Sequence, residues 1–283
     1  MLRLGTCSWK YDSWVGLVYS DSKSKHYLNE YSGKFDTVEI DQWFWSLFPP
    51  AKVKLPNKNL AEEYKNSVPE DFLFTVKVPN SITLTHFYKN SKEDELKPNP
   101  FFLSVDLFKE FLNSITTLKN QIGCLIFQFE YLNKQKMKSL LEFQFKFAEF
   151  YKQLDKKIPP AGIEIRNPNY LNEKYFSFLA ELKIAPVFLE GYYMPPITEV
   201  YNKFKKYINQ LAVIRLHGTD RKGIEKIAND NWNQIYINRD KEISSIVKMI
   251  KGLQNNEVDL FVNVNNHFEG SAPLTIEKIK KLI

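Results

Sequence analysis

Eight short apolar runs punctuate the chain, near residues 3–8, 35–41, 72–78, 122–128, 161–166, 185–190, 212–217 and 259–265, and each reads as a β-strand. The segments between them carry apolar residues at three-and-four spacing. Leu107, Phe108, Phe111, Leu112 and Ile115 follow the cap candidate Ser104, and Leu140, Leu141, Phe143, Phe147 and Phe150 follow Asn133. Tyr175, Phe176, Phe178, Leu179 and Leu182 follow Asn172. Ile243, Ile246, Val247 and Ile250 precede Gly252, and a last helix starts near Pro273. Strands alternating with helices imply right-handed crossovers and a parallel sheet. Eight such units predict closure into an α/β (β/α)₈ TIM barrel, one domain over residues 1–283, with an open doubly wound sheet as the alternative. The longest irregular stretches, 42–59, 79–101 and 218–232, are βα loops of this barrel, on the face where active sites are built.

The C-terminal ends of several strands turn ionisable on alternate residues. Strand side chains repeat every two residues, so Glu39 and Asp41 share a face, as do Glu164 and Arg166, and Arg215 and His217. Helix-covered parallel strands normally read as unbroken Val/Ile/Leu, so these charges need a common destination, the inside of the barrel mouth. Extending the parity to the other strands predicts an outermost ring of Ser8, Asp41, Lys77, Gln128, Arg166, Glu190, His217 and Asn265. Glu39, Glu164 and Arg215 lie one layer deeper. A structural ion network, with Arg215 bridging Glu39 and Glu164, is the plain alternative to a working site. Buried pairs are poor stabilisers, however, which favours use over structure.

Individual roles follow from chemistry. Arg166, Arg215 and Lys77 suit an anionic group, with Gln128, Asn265 and Ser8 as polar contacts. His217 has the ordinary pKa nearest neutrality and is the natural acid or base, opposed by Asp41, Glu39, Glu164 or Glu190. A divalent metal on Asp41, Glu164, Glu190 and His217 is disfavoured, because interleaved Arg and Lys compete for the carboxylates. None of the four histidines (His26, His86, His217, His267) forms an i, i+4 ligand pair. No cofactor motif is present. Trp9 and Trp43, just past the first two strands, are candidates for stacking on a ligand, though a barrel-top plug is the plainer role for the aromatics there. The Gly-bearing loops 217–220 and 265–272 lie where barrels often bind phosphate.

Composition narrows the field further. With 43% hydrophobic and 25% charged residues, the chain has the make-up of a soluble globular protein with a sizeable core. Only ten glycines, and no nucleotide-loop fingerprint, argue against a Gly-rich phosphate cradle. Cys7 and Cys124 each sit in an apolar run and read as core thiols in a reducing compartment. No apolar stretch reaches membrane-spanning length and no signal segment opens the chain, so a cytoplasmic location is expected. A net charge of +6 is compatible with a polyanionic partner but fits solvated lysine faces better.

Taken together, these blocks resemble the YecE-like family, a domain of unknown function. Gly5-Thr6-Cys7-Ser8-Trp9 with Tyr11, Trp14 and Gly16 is similar to its opening motif, and Phe35-Asp36-Thr37-Val38-Glu39-Ile40 to its F-x-T-V-E-I-N segment. Phe72–Lys77 with Ile82–His86, Leu125–Phe129, Glu164-Ile165-Arg166, Arg215-Leu216-His217-Gly218 and Val264-Asn265-Asn266 resemble the remaining blocks in order. The resemblance implies a (β/α)₈ barrel and no particular activity. Asp41 replaces the family's usual Asn, Gln42-Trp43-Phe44-Trp45 replaces a smaller run, Asn167 replaces a His, and Val264 replaces an aromatic. A role of that missing His does not carry over, which strengthens His217.

Three functions compete. The first is an enzyme acting on a small anionic or hydroxyl-rich substrate by acid–base chemistry. The second is a nucleic-acid-binding barrel, in the extreme a phosphodiesterase like the repair endonucleases of this fold class. The third is a non-catalytic small-ligand binder using the same pocket.

Overall fold

The computed structural model describes residues 1–21, 27–89, 91 and 95–283, so His26 lies outside the described residues. Eight parallel strands close into a barrel: β1 (Leu2–Thr6), β2 (Thr37–Ile40), β5 (Leu73–Lys77), β6 (Ile122–Phe129), β7 (Ala161–Ile165), β8 (Ala185–Gly191), β9 (Leu211–Gly218) and β10 (Asp259–Val264). Spatial neighbours follow chain order, with β1 sealing the cylinder against β10. The loop after β2 holds a small antiparallel hairpin, β3 (Leu47–Phe48) and β4 (Lys52–Val53).

Ten helices are described: α1 (Tyr27–Ser32), α2 (Lys58–Asn66), α3 (Asn80–Thr83), α4 (Val105–Ser114), α5 (Leu140–Lys152), α6 (Glu173–Glu181), α7 (Ile197–Phe204), α8 (Arg221–Ala228), α9 (Asp240–Asn255) and α10 (Ala272–Leu282). No described helix is long and apolar enough to cross a membrane.

Caps set the helix starts. The Ser104 hydroxyl accepts from Leu107 N on α4, and the Asn172 side chain accepts from Tyr175 N on α6, both as the residue pattern predicts. On α5 the expectation is corrected: Asn133 closes its own turn by accepting from Gln135 N and Lys136 N, and Ser139 caps the helix. The Ser139 hydroxyl accepts from Glu142 N at 3.2 Å, while the Glu142 carboxylate accepts from Lys138 N at 2.7 Å. Ser139→Ala is expected to lower stability by about 1 kcal/mol, read as a shift in the urea midpoint. Helix α9 runs through Gly252 to Asn255, beyond the expected stop, because its apolar stripe continues to the buried Leu253.

Two apolar layers hold the cylinder. Outward residues of the strands meet the helices, and the many phenylalanines collect there. Phe127 and Phe129 of β6 pack on Phe108 of α4 and on Phe143, Phe147 and Phe150 of α5, at ring separations of 4.9–5.9 Å. Inside, a smaller plug of Cys124, Ile126, Val187, Val213 and Phe261 fills the lower barrel. Above that plug the interior turns polar.

Candidate active site at the barrel mouth

The register fixes which side chains enter the barrel. Glu39 of β2 pairs with Thr75 of β5, Gln128 of β6 with Glu164 of β7, and Asn263 of β10 with Arg215 of β9. These six side chains form one layer and bond to one another. Arg215 donates from Nε and Nη2 to both carboxylate oxygens of Glu39, at 2.7 Å each. Its Nη1 donates to Glu164 and, at 3.3 Å, to Gln128. The Asn263 amide donates to Thr75 at 2.8 Å and to Glu39 at 3.4 Å. Glu39, Glu164 and Arg215 are buried. Burial alone would raise the Glu164 carboxyl, but the charges of Arg215, Arg166 and Lys77 override it and hold it at about 2.

This arrangement reassigns three candidates. Arg215, expected as an anion clamp, is saturated by Glu39, Glu164 and Gln128 and is closed off from solvent. Glu39 and Glu164, expected as acid–base groups, are held as its counterions. The network positions what lies above it.

The upper layer holds Cys7, Asp41, Lys77, Arg166 and His217. Arg166 leaves β7 beside Glu164, donates from Nε to its carboxylate at 3.0 Å, and keeps its side chain 25% exposed. Its guanidinium lies 5.0 Å from the Tyr192 ring, and Nη1 and Nη2 have no partner among the described residues. Lys77 ends β5 with its ammonium 3.9 Å over the ring of Phe44, and it forms no ion pair or hydrogen bond among the described residues. Burial first, then the Arg215 charge, draw Lys77 down to about 8, against the pull of Glu39, Glu164 and Asp41. For Asp41, burial and then the Glu39 charge push the carboxyl up to about 6, against Lys77 and Arg215.

His217 is nearly enclosed, with Nε2 3.6 Å from Cys7 Sγ and Nδ1 3.4 Å from the Tyr192 hydroxyl. Burial, then Arg215, Arg166 and Lys77, hold its imidazole well below the ordinary value, so it stays neutral at physiological pH. The ordinary imidazole value that made His217 the natural acid–base candidate therefore does not hold in the fold, where burial and three cations lower it. Asp41 and Lys77 are the groups brought toward neutrality instead.

Other candidates fall outside the ring. Glu190 pairs in register with Leu216, the outward face of β9, and its carboxylate accepts from Ile197 N at the start of α7, at 2.9 Å. Val187 and Leu189 occupy the inward face of β8. On β1 the parity is also shifted. Thr6 turns outward to the Tyr31 hydroxyl, Cys7 enters the barrel, and Ser8 sits past the strand end at the rim, bonded to Tyr11. Asn265, also at the rim, accepts from His267 N at 2.9 Å and shapes the following turn. Trp9 and Trp43, weighed as ligand-stacking residues, are buried around Tyr64 of α2, with ring separations of 5.2 and 5.7 Å, the packing of a barrel-top plug.

The corner expected to bind phosphate is filled by the chain itself. The buried Glu269 carboxylate accepts from Arg239 N, Thr275 Oγ1 and Lys278 Nζ at 2.7–3.0 Å. Among the described residues no three His, Cys, Asp or Glu side chains converge as a metal-ligand set. Of the carboxylates weighed for that role, Glu164 is tied to Arg215 and Glu190 faces outward, while Asp41 stands in the upper layer.

Tyr192 escaped the sequence reading, although a glycine before two tyrosines at a strand end is its signal. Gly191 has φ +138°, and a Cβ there would lie 2.2 Å from Gly218 O. This close approach of β8 to β9, with Tyr192 N donating to Gly218 O at 2.9 Å, swings Tyr192 over His217 and Arg166. Further out, exposed Trp45 and Tyr88 pair at 6.0 Å, and exposed Tyr131 and Tyr193 at 6.2 Å. A cavity of about 770 Å³ opens at the opposite, N-terminal end of the barrel, bordered by Gly123, Pro160, Leu211 and Phe261. It is lined mainly by apolar groups and backbone, and it lacks the convergent ionisable groups of the mouth.

A parallel eight-stranded barrel with ionisable residues gathered at the C-terminal ends of its strands defines a TIM-barrel protein. The chain belongs to the family described as protein of unknown function DUF72, which matches residues 3–283. Solved structures of DUF72 proteins share the fold. One from Enterococcus faecalis has 20% identity and a TM-score of 0.68, covering 100% of this chain and 95% of its own. Another from Thermotoga maritima has 19% identity and a TM-score of 0.65, covering 100% and 98%. No curated protein matches.

Proposed function

We propose that the mouth is an enzyme active site that binds a small anionic substrate and works on it by acid–base chemistry. The carrying observation is the juxtaposition above the buried network. Arg166 presents unpartnered guanidinium nitrogens, while Asp41 and Lys77, one raised to about 6 and the other lowered to about 8, feel each other's charge. Between those values Asp41 is an ionised base and Lys77 a protonated acid, the state that general acid–base catalysis at neutral pH needs. Arg166 is the anion clamp, held in place by Glu164 and Tyr192.

Arg166→Lys keeps a cation beside Glu164 but removes the planar fork. It is expected to fold normally and to weaken binding of oxalate or phosphate by about tenfold or more, measured by NMR titration. Unchanged affinity, or a wild-type protein that binds neither anion at millimolar concentration, refutes the anion site.

A second reading, nucleic-acid binding, draws on the exposed Trp45, Tyr88, Tyr131 and Tyr193, since bases stack on such rings. It requires binding of single- or double-stranded nucleic acid that weakens steeply with salt in a gel-shift titration.

A further inference from the structure

Lys77 is unusual among the charged groups inside the barrel. Two buried carboxylates, Glu39 and Glu164, lie close enough to act on its charge, yet both are bonded to Arg215. A lysine serving only as a structural counterion would contact one of them. Its amine instead rests over Phe44 with no hydrogen-bond or ion-pair partner among the described residues, on a side chain that stays 9% exposed. Arg166 stands on the same upper layer with open donors. An unengaged amine in an apolar wall, next to an anion clamp and a titratable carboxyl, has the layout of a nucleophile.

We propose that Lys77 attacks the carbonyl carbon of a small anionic aldehyde or ketone held by Arg166 and forms a protonated imine with it. The inference rests on the anion site proposed above and adds the substrate class. Asp41 first takes a proton from the Lys77 ammonium through a water molecule between them, since the two groups feel each other's charge without touching. The freed Nζ lone pair forms the N–C bond as the carbonyl π bond breaks, and a proton passes from nitrogen to oxygen to give the carbinolamine. Asp41 then returns its proton to the carbinolamine hydroxyl, the C–O bond breaks, and water leaves. The products are the iminium, the Asp41 carboxylate and one water, with no change of oxidation state.

The groups whose charges bear on Lys77 come from three strands and the β2 end: Arg215, Glu39, Glu164 and Asp41. Their net effect with burial leaves roughly 300-fold more neutral amine at pH 7 than a free lysine has. Part of that gain is offset by the lower nucleophilicity of a weaker base.

The test is site-resolved labelling of the wild-type protein with glyoxylate and cyanoborohydride at pH 7, read by peptide mass spectrometry. Exposed Lys203 and Lys241 serve as internal references. Lys77 is expected to be carboxymethylated about tenfold faster than either. Lys77 reacting no faster than the references overturns the imine. Oxalate titration of the same sample separates the two ideas. Retained, Arg166-dependent oxalate binding with slow Lys77 labelling removes the covalent step alone, whereas loss of both removes the anion site as well.

Discussion

Arg215→Met is expected to lower the unfolding free energy by about 3–5 kcal/mol, the cost of stranding buried ionised partners. In the variant, Glu39 would keep only the Asn263 amide, and Glu164 only Arg166. Both carboxylates are fully enclosed, so water cannot replace the guanidinium. The loss belongs to the broken pairing rather than to the network's worth against apolar filler. A triple variant, Arg215→Met with Glu39→Gln and Glu164→Gln, should therefore recover part of it. Urea denaturation followed by circular dichroism measures both, and an unchanged midpoint for Arg215→Met would show that the ion network contributes nothing.

Lys77→Met should act in the opposite direction. The amine is drawn down from its ordinary 10.5 to about 8, chiefly by burial, so the folded protein holds the ammonium less readily than the unfolded chain does. Below pH 8 that penalty is complete. It shrinks as the pH rises from 8 to 10.5 and is absent above. Methionine fills similar volume without charge, and is expected to add about 2–3 kcal/mol at pH 7. The gain should fade by pH 10. Matched urea titrations at pH 7 and pH 10 test this, and a variant less stable than wild type at pH 7 would show that Lys77 stabilises the fold. Stabilisation by Lys77→Met, joined to preferential glyoxylate labelling of Lys77 in the wild type, is the pattern of a residue kept for chemistry.

The architecture was legible because eight apolar runs alternate with helical stripes along the whole chain. The deep layer was legible too, since Glu39, Glu164 and Arg215 interrupt strands that are otherwise apolar. Parity failed where the pattern carried no information. Ala185–Leu189 is buried on both faces of β8, so nothing in that run says whether Glu190 points in or out. On β1 the inward face belongs to Gly5 and Cys7, and Gly5 has no side chain to mark it, so the polar Thr6 and Ser8 suggest the wrong parity. The charge state of His217 was not legible for another reason. Its ordinary pKa is a property of the free imidazole, whereas in the fold burial, and then Arg215, Arg166 and Lys77, lower it, and all of these come only with closure. Trp9 and Trp43 show the same limit, because Tyr64 from a distant helix covers both.

The Arg215 cluster draws on β2, β6, β7 and β9, strands separated by up to 176 residues of chain. A half-barrel ending after β6 would inherit Glu39 without its cation, and the complementary half would carry Arg215 with a single acid. Neither piece can dry its interior on favourable terms. The charge balance of the barrel interior is therefore a property of the closed cylinder and of neither half alone.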